Sequence, residues 1–220
     1  YFEGTDIGGT QFIDIGEILE AAALADKIVV GLGENTYAEN LGNVGELALP
    51  ERQLDLVYQI AAVTDKPIVV VLVQGRPRGL GKAADIASAV VNAYLPGEYG
   101  GLPIAEILYG RVNPSGRLPY TYPATEAQAS TTVWQPAYSD YSPQWAFGYG
   151  LGYSSIAYSS VAVSSNILKP NSSIEVSVTA TNNGPYTQKE TVMLFTNQPY
   201  HFGIAAENNR LRKFTKISLD

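Results

Sequence analysis

Three short aliphatic runs, each stopped by glycine or proline and each joined to the next through a helical pattern, restrict this chain more than any other feature. Ile28-Val29-Val30 is β-branched and bounded by polar residues or glycine. Ile68 to Val73 reads IVVVLV and is followed by Gly75-Arg76-Pro77. Ala89 to Leu95 stops at Pro96-Gly97. Runs without polar alternation suit strands covered on both faces, as in parallel sheets. Between and around them the apolar residues fall at helical spacing. A first helix is expected within 12–26, through Ile15, Ile18, Leu19, Ala22 and Ala23. Pro50-Glu51 opens a second, with Leu54, Val57, Tyr58 and Ala61 facing inward and Asp65-Lys66-Pro67 ending it. A short helix around Lys82–Ile86 and another near Leu102–Tyr109, with Gly110 as its C′ residue, complete the pattern.

Strand, glycine-rich loop and helix in alternation imply right-handed crossovers and an α/β fold: a mostly parallel sheet sandwiched by helices. The loops near 33, 75 and 97 then open on one edge, beyond the carboxyl ends of the strands, where open α/β sheets hold their ligands. The stretch from Lys27 to Pro50 is the most informative of the three. Gly31 and Gly33 are expected to break the first strand, and a polar loop then carries Glu34 and Glu39 until the apolar pattern resumes at Leu47.

From Asn113 the character changes. Leu118–Tyr122 reads as a short strand, and 124–153 is rich in Tyr, Ser, Pro and Gly without helical period. Its aromatics Trp134, Tyr138, Tyr141, Trp145, Phe147 and Tyr149 are costly to leave in water, so it is expected to be an ordered linker that packs between domains, in preference to a platform for sugar rings. From Ile156 apolar and polar residues alternate, through Val161 and Val163, then Ile174, Val176 and Val178, then Val192, Leu194 and Phe195. Pro170-Asn171 and Asn182-Asn183-Gly184-Pro185 supply turns. This predicts an antiparallel β-sandwich with room for about five strands before Asp220. The expected division is 1–123 for the α/β domain, 124–153 for the linker and 154–220 for an incomplete sandwich. Because Tyr1 follows no initiator Met and the sandwich looks unfinished, the chain reads as a piece of a longer protein.

Composition removes several function classes. Fourteen basic against 21 acidic residues give a net charge of -7 without any Lys/Arg block, so nucleic acid is not the expected partner. The chain has no cysteine and a single histidine, His201, which leaves no thiolate or histidine-rich metal site and no ready Ser-His-Asp triad. No segment reaches the roughly 18 apolar residues of a membrane span. Gly31-Leu32-Gly33 after a strand invites a phosphate-loop reading, but position 36 is Thr where a third glycine is required, and no helix begins there. Fifteen tyrosines with frequent Ser, Thr and Asn suit a secreted, periplasmic or extracellular protein that meets carbohydrate. Asn171-Ser172-Ser173 matches an N-glycosylation acceptor.

Several stretches together carry a family resemblance: ADKIVVGLGENTYAEN, LALPERQLDLV, KPIVVVLVQGRP, AYLPGEYGGLPIAEILYGRVNPSGRLPYTYP and FGYGLGYSS, followed by the alternating segment with VTATNNG. In this order they resemble the C-terminal half of glycoside hydrolase family 3, the β-glucosidases and glucan exohydrolases. The resemblance implies a (β/α)8 barrel first, an α/β sandwich domain second and a fibronectin type III-like domain third, of which this chain resembles most of the second and part of the third. It also implies that the nucleophilic Asp and most sugar contacts belong to the barrel, so no substrate-binding residue is assigned here. The implied partners are a β-linked oligosaccharide or glucoside and the N-terminal barrel of the same protein. Neither cofactor nor metal is implied.

In glucan exohydrolase-like members the general acid/base is a Glu on a second-domain loop, five residues after a Gly-Glu pair. With Gly33-Glu34 as the pair, the resemblance makes Glu39 the catalytic residue, with Glu34 and Glu46 as alternatives. Retaining hydrolysis needs a second carboxyl group about 5 Å away, so this chain alone is expected to be inert. Glu34 is expected to accept loop amides and hold the loop's shape, and Arg76 to pair with it in preference to a sugar hydroxyl. Two rivals are a non-catalytic carbohydrate-binding or scaffolding protein with the same fold and a nucleotide-type α/β domain.

Overall fold

The ladder between the aliphatic runs sets the layout of the first part of the molecule. The computed structural model describes residues 1–130, 141–198 and 209–220. It divides into two units, one holding Tyr1–Ile104 and the stretches around Tyr122 and Trp145, the other holding Ala105–Tyr120 and Phe147–Asp220.

In the first unit, strands β1 (Ile28–Gly33), β2 (Ile68–Val73) and β3 (Ala89–Tyr94) form a parallel sheet in that order. Helices α1 (Ile15–Leu24), α2 (Glu51–Val63) and α3 (Ala83–Ile86) alternate with them, and α4 (Gly101–Leu108) follows β3. Register runs from Ile28 opposite Ile68 to Gly33 opposite Val73. Alternate strand residues Val30, Leu32, Ile68, Val70 and Leu72 enter one core with Ile18 and Ala22 of α1, Leu56, Val57 and Ile60 of α2, and Ala83 of α3. Val71, of opposite parity, is buried as well, so the central strand is covered on both faces. Edge strand β1 is not, and Val29 remains 55% exposed.

Two expectations need correction here. The glycines do not break β1, which continues through Gly33. A Cβ on Gly33 would stand 2.0 Å from the Val73 carbonyl oxygen, so this glycine allows two strand backbones to approach rather than ending one. The buried stripe of α2 is also rotated from its expected position. Gln53, Leu56, Val57 and Ile60 are buried, while Leu54, Tyr58 and Ala61 are only partly covered, in a helix that packs against both α1 and α3.

Helix α4 ends as its sequence foretells. Gly110 has φ 73°, its N–H reaches the Ile107 carbonyl at 2.9 Å, and the Arg111 N–H reaches the Glu106 carbonyl at 2.8 Å. These paired bonds are the Schellman arrangement, which favours a left-handed glycine at this point.

The short strand expected at Leu118–Tyr122 is reduced to local contacts. Tyr122 forms an isolated antiparallel bridge with Trp145, and the Leu118 N–H bonds to the Tyr149 carbonyl at 2.9 Å. Pro119 has no amide hydrogen with which to carry a ladder between them. Trp145 packs on the core edge, and Phe147 meets Phe195 at 6.2 Å between ring centroids. Trp134, Tyr138 and His201 lie outside the described residues.

The second unit carries two antiparallel pairs, β4 (Ile156–Val163) with β5 (Val176–Asn182) and β6 (Gln188–Thr196) with β7 (Arg210–Leu219). Four strands are thus present among the described residues, where about five were expected. Asn171, in the turn before β5, has φ 60°. The alternating valines of β4 stay open to solvent, Val161 at 72%. Between the pairs, the Glu190 carboxylate accepts the Tyr158 hydroxyl at 2.9 Å and the Arg117 guanidinium at 2.6 Å.

Leu72 has no exposed surface, so Leu72→Ala should lower the unfolding free energy by about 2–5 kcal/mol, measured by urea titration. Tyr158 supplies a pH-dependent test. Partial burial first, then the bond to Glu190 and its charge, push this phenol up to about 12. Unfolded tyrosine ionises near pH 10. The unfolded chain therefore releases this proton first, and the stability it contributes is lost as pH rises from about 10 through 12. Tyr158→Phe should flatten the alkaline fall in Tm relative to wild type.

Candidate active site

The parallel ladder delivers Glu34 to the sheet edge. Its backbone N–H continues the strand pattern onto the Val73 carbonyl at 3.0 Å, and Gln74 does the same onto Tyr94 at 2.9 Å. The loops that follow β1 and β2 therefore leave side by side. They are zipped again farther out, where Leu49 donates to the Gly79 carbonyl and Gly79 to the Leu47 carbonyl, each at 3.0 Å. The Leu47 N–H in turn bonds to the Glu126 carboxylate.

Glu34 sits at the centre of this edge with its side chain 8% exposed. Its Oε1 accepts Arg76 Nε at 3.0 Å and Arg78 Nη1 at 2.9 Å. The expected Arg76 pairing forms, while the expected loop amides are replaced by a second guanidinium. Each arginine has donors left over, and each aims one at the loop that follows β1. Arg76 Nη1 bonds to the Gly42 carbonyl, and Arg78 Nη2 to the Ala48 carbonyl. A buried charge group is tolerable only when paired and saturated with hydrogen bonds, and here the loop backbone supplies part of the saturation.

Tyr37 adds an aromatic contact to the cluster. The Arg76 guanidinium lies 4.1 Å from its ring centroid, within stacking range. The ring is admitted by two glycines: a Cβ on Gly42 would stand 2.6 Å from it, and one on Gly75 would stand 2.4 Å from its hydroxyl. Beneath the arginines, the Tyr122 hydroxyl donates to the Arg78 carbonyl at 2.7 Å and receives Gln74 Nε2 at 2.9 Å. Tyr122 is itself braced by Trp145, edge to face at 4.9 Å.

Glu39 begins a 3-10 turn, Glu39–Gly42, and has φ 50°, a left-handed conformation rare for a residue with a side chain. It is exposed, as is Glu46. Of the three candidate carboxylates, only Glu34 is held by other side chains in the ion pairs described. A separate groove of about 840 Å³ lies along β1 and α1, lined by Phe2, Ile13, Ala22, Val29 and Leu56 among others, and none of residues 34–48 lines it. Among the described residues no group of three His, Cys, Asp or Glu side chains is placed to hold a metal, and no helix is long and apolar enough to cross a membrane.

A family profile described as the glycosyl hydrolase family 3 C-terminal domain matches residues 12–153. The chain belongs to glycosyl hydrolase family 3. A "Lysosomal beta glucosidase" of Dictyostelium discoideum is 37% identical over all of this chain and 28% of its own length. A "Beta-xylosidase" of Formosa agariphila is 29% identical over all of this chain and 32% of its own length. Among solved structures, a mutant beta-glucosidase from Listeria innocua in complex with laminaribiose superposes with a TM-score of 0.84 at 26% identity, covering 96% of this chain and 32% of its own. The chain thus spans about a third or less of the length of these family 3 relatives.

Arg78, Tyr37 and Gln53 were not singled out by sequence reasoning. Arg78 had a legible signal, a second arginine two residues after Arg76 in the same strand-end loop. Gln53 had none, since it looks like a polar residue on an amphipathic helix. Its side chain instead imitates a neighbouring strand, accepting the Gly33 N–H at 2.9 Å and donating to the Gly33 carbonyl at 3.0 Å. Gln53→Leu keeps the volume and leaves both groups of Gly33 without these bonds, so it should destabilise the chain by about 1–3 kcal/mol in denaturant unfolding.

Proposed function

We propose that this chain is the acid/base part of a retaining, exo-acting β-glycosidase of the β-glucosidase or exo-β-glucanase type, with Glu39 as general acid and base. The observation that carries the reading is the placement of Glu39. It projects from a loop anchored at the carboxyl ends of parallel strands, where ligands of such sheets bind, and its side chain is open to whatever closes over that edge. Relatives named for β-glucosidase and β-xylosidase activity, and a structural neighbour that holds laminaribiose, support a β-linked glycoside as substrate.

In this reading 1–123 is the α/β domain and 154–220 part of a fibronectin type III-like domain, joined by 124–153. A (β/α)8 barrel in the same protein supplies the nucleophile. Its carboxylate attacks the anomeric carbon while Glu39 gives its proton to the departing oxygen. In the second step Glu39 takes a proton from water, which releases the sugar from the covalent intermediate. Water is the only other reactant, so no cofactor enters the scheme. A general acid must keep its proton near neutral pH, which a closed, solvent-excluding pocket favours. The relative named as lysosomal supports an extracytoplasmic location.

Two outcomes test this. The 220-residue chain alone should leave aryl β-glucosides and β-xylosides uncleaved. In the full-length protein, Glu39→Gln should slow substrates with poor leaving groups by about 10²–10⁴-fold and activated aryl glycosides far less. Equal loss on both classes moves the acid role to another residue.

A further inference from the structure

We propose that Arg76 and Tyr37 are positioning residues for Glu39, whereas Arg78 anchors the exit of the same loop. The inference rests on the reading of Glu39 as the acid and deepens it. The two arginines share one carboxylate but grip different points of the loop. Arg78 reaches Ala48, itself the partner of Gly79 in a parallel bridge, where the loop is already zipped to its neighbour. Arg76 reaches Gly42, the last residue of the turn that Glu39 begins, and among the described residues no ladder supports the backbone there.

That turn needs external support. Glu39 has φ 50°, and a residue with a side chain stays in this region only when its surroundings hold it. The Gly42 carbonyl is held by Arg76 Nη1, and the Tyr37 ring lies so near Gly42 that a Cβ there would stand 2.6 Å from it. Arg76 stacks on that same ring at 4.1 Å. Tyr37, Gly42 and Arg76 thus form one packed unit two to three residues from Glu39 on either side. Glu34 completes it by setting the plane of the guanidinium through Nε, which directs Nη1 at the carbonyl. A lysine cannot reproduce this, because one ammonium lacks the fork that serves a carboxylate and a carbonyl at fixed angles.

A misplaced proton donor fails selectively. A departing group that needs protonation suffers, and one that leaves as a stable anion does not. In the full-length protein, Arg76→Lys should reduce kcat/KM on disaccharide or alkyl glycosides by roughly ten- to a hundredfold, the size of effect that an error of about 1 Å produces. On a dinitrophenyl glycoside of the same sugar the loss should stay within about threefold. Tyr37→Leu should show the same split and serves if Arg76→Lys does not fold. Combining Arg76→Lys with Glu39→Gln should add little to the loss from Glu39→Gln alone, since both act on one proton transfer. Uniform loss on both substrates, or none, in whichever variant folds overturns the inference. Glu39→Gln measured in parallel separates the two claims. If it shows no split, the acid assignment falls; if it does and neither Arg76→Lys nor Tyr37→Leu follows, only the positioning role falls.

Discussion

One carboxylate enclosed by two guanidinium groups governs the whole edge of the sheet. Glu34 balances one positive charge, so the trio with Arg76 and Arg78 keeps an excess of charge and of N–H donors in a largely buried place. Removing such groups from water is expensive unless every donor finds an acceptor. The acceptors at hand are the Gly42 and Ala48 carbonyls, which leave Arg78 Nε as a buried donor with no partner among the described residues. The path of a polar loop with little intrinsic structure is therefore dictated by the electrostatic needs of side chains on the neighbouring strand end.

That arrangement depends on rigid supports underneath. Parallel pairing of β1 and β2 places Glu34 and the two arginines within reach across 42 to 44 residues of chain. Tyr122, fully buried between Gln74, the Arg78 carbonyl and Trp145, holds the arginine-bearing segment from below. At the other side of β1, Gln53 takes the outward-facing groups of Gly33 and so marks where the exposed edge strand stops presenting an open ladder. Buried polar contacts of this kind are few, yet each fixes a geometry that apolar packing leaves free.

Much of the architecture could be read from periodicity alone. The IVVVLV run occupies β2 residue for residue, and Gly110 closes α4 in the left-handed form that its position implied. Errors gathered where a residue's neighbours are distant in sequence. Gly33 resembles a strand breaker until Val73 is seen against it, and the valines of β4 promise an inward face that the described residues leave solvated. The linker aromatics divide in the same way. Trp145 finds the core edge and Phe147 finds Phe195, partners that no local pattern names.

At the site the division is sharper. Order along the chain was enough to locate a Gly-Glu pair after a strand, a second acid five residues on, and an arginine at the next strand end, because such motifs are written in consecutive residues. Folding decided which of those carboxylates is enclosed and which is offered to solvent: Glu34 is locked between Arg76 and Arg78, and Glu39 stands open on a left-handed turn. It also added Tyr37, Arg78 and Gln53, whose roles come from contacts across separate elements. Burial and hydrogen-bond geometry depend on what lies nearby in space, and spacing along a polymer does not encode that directly.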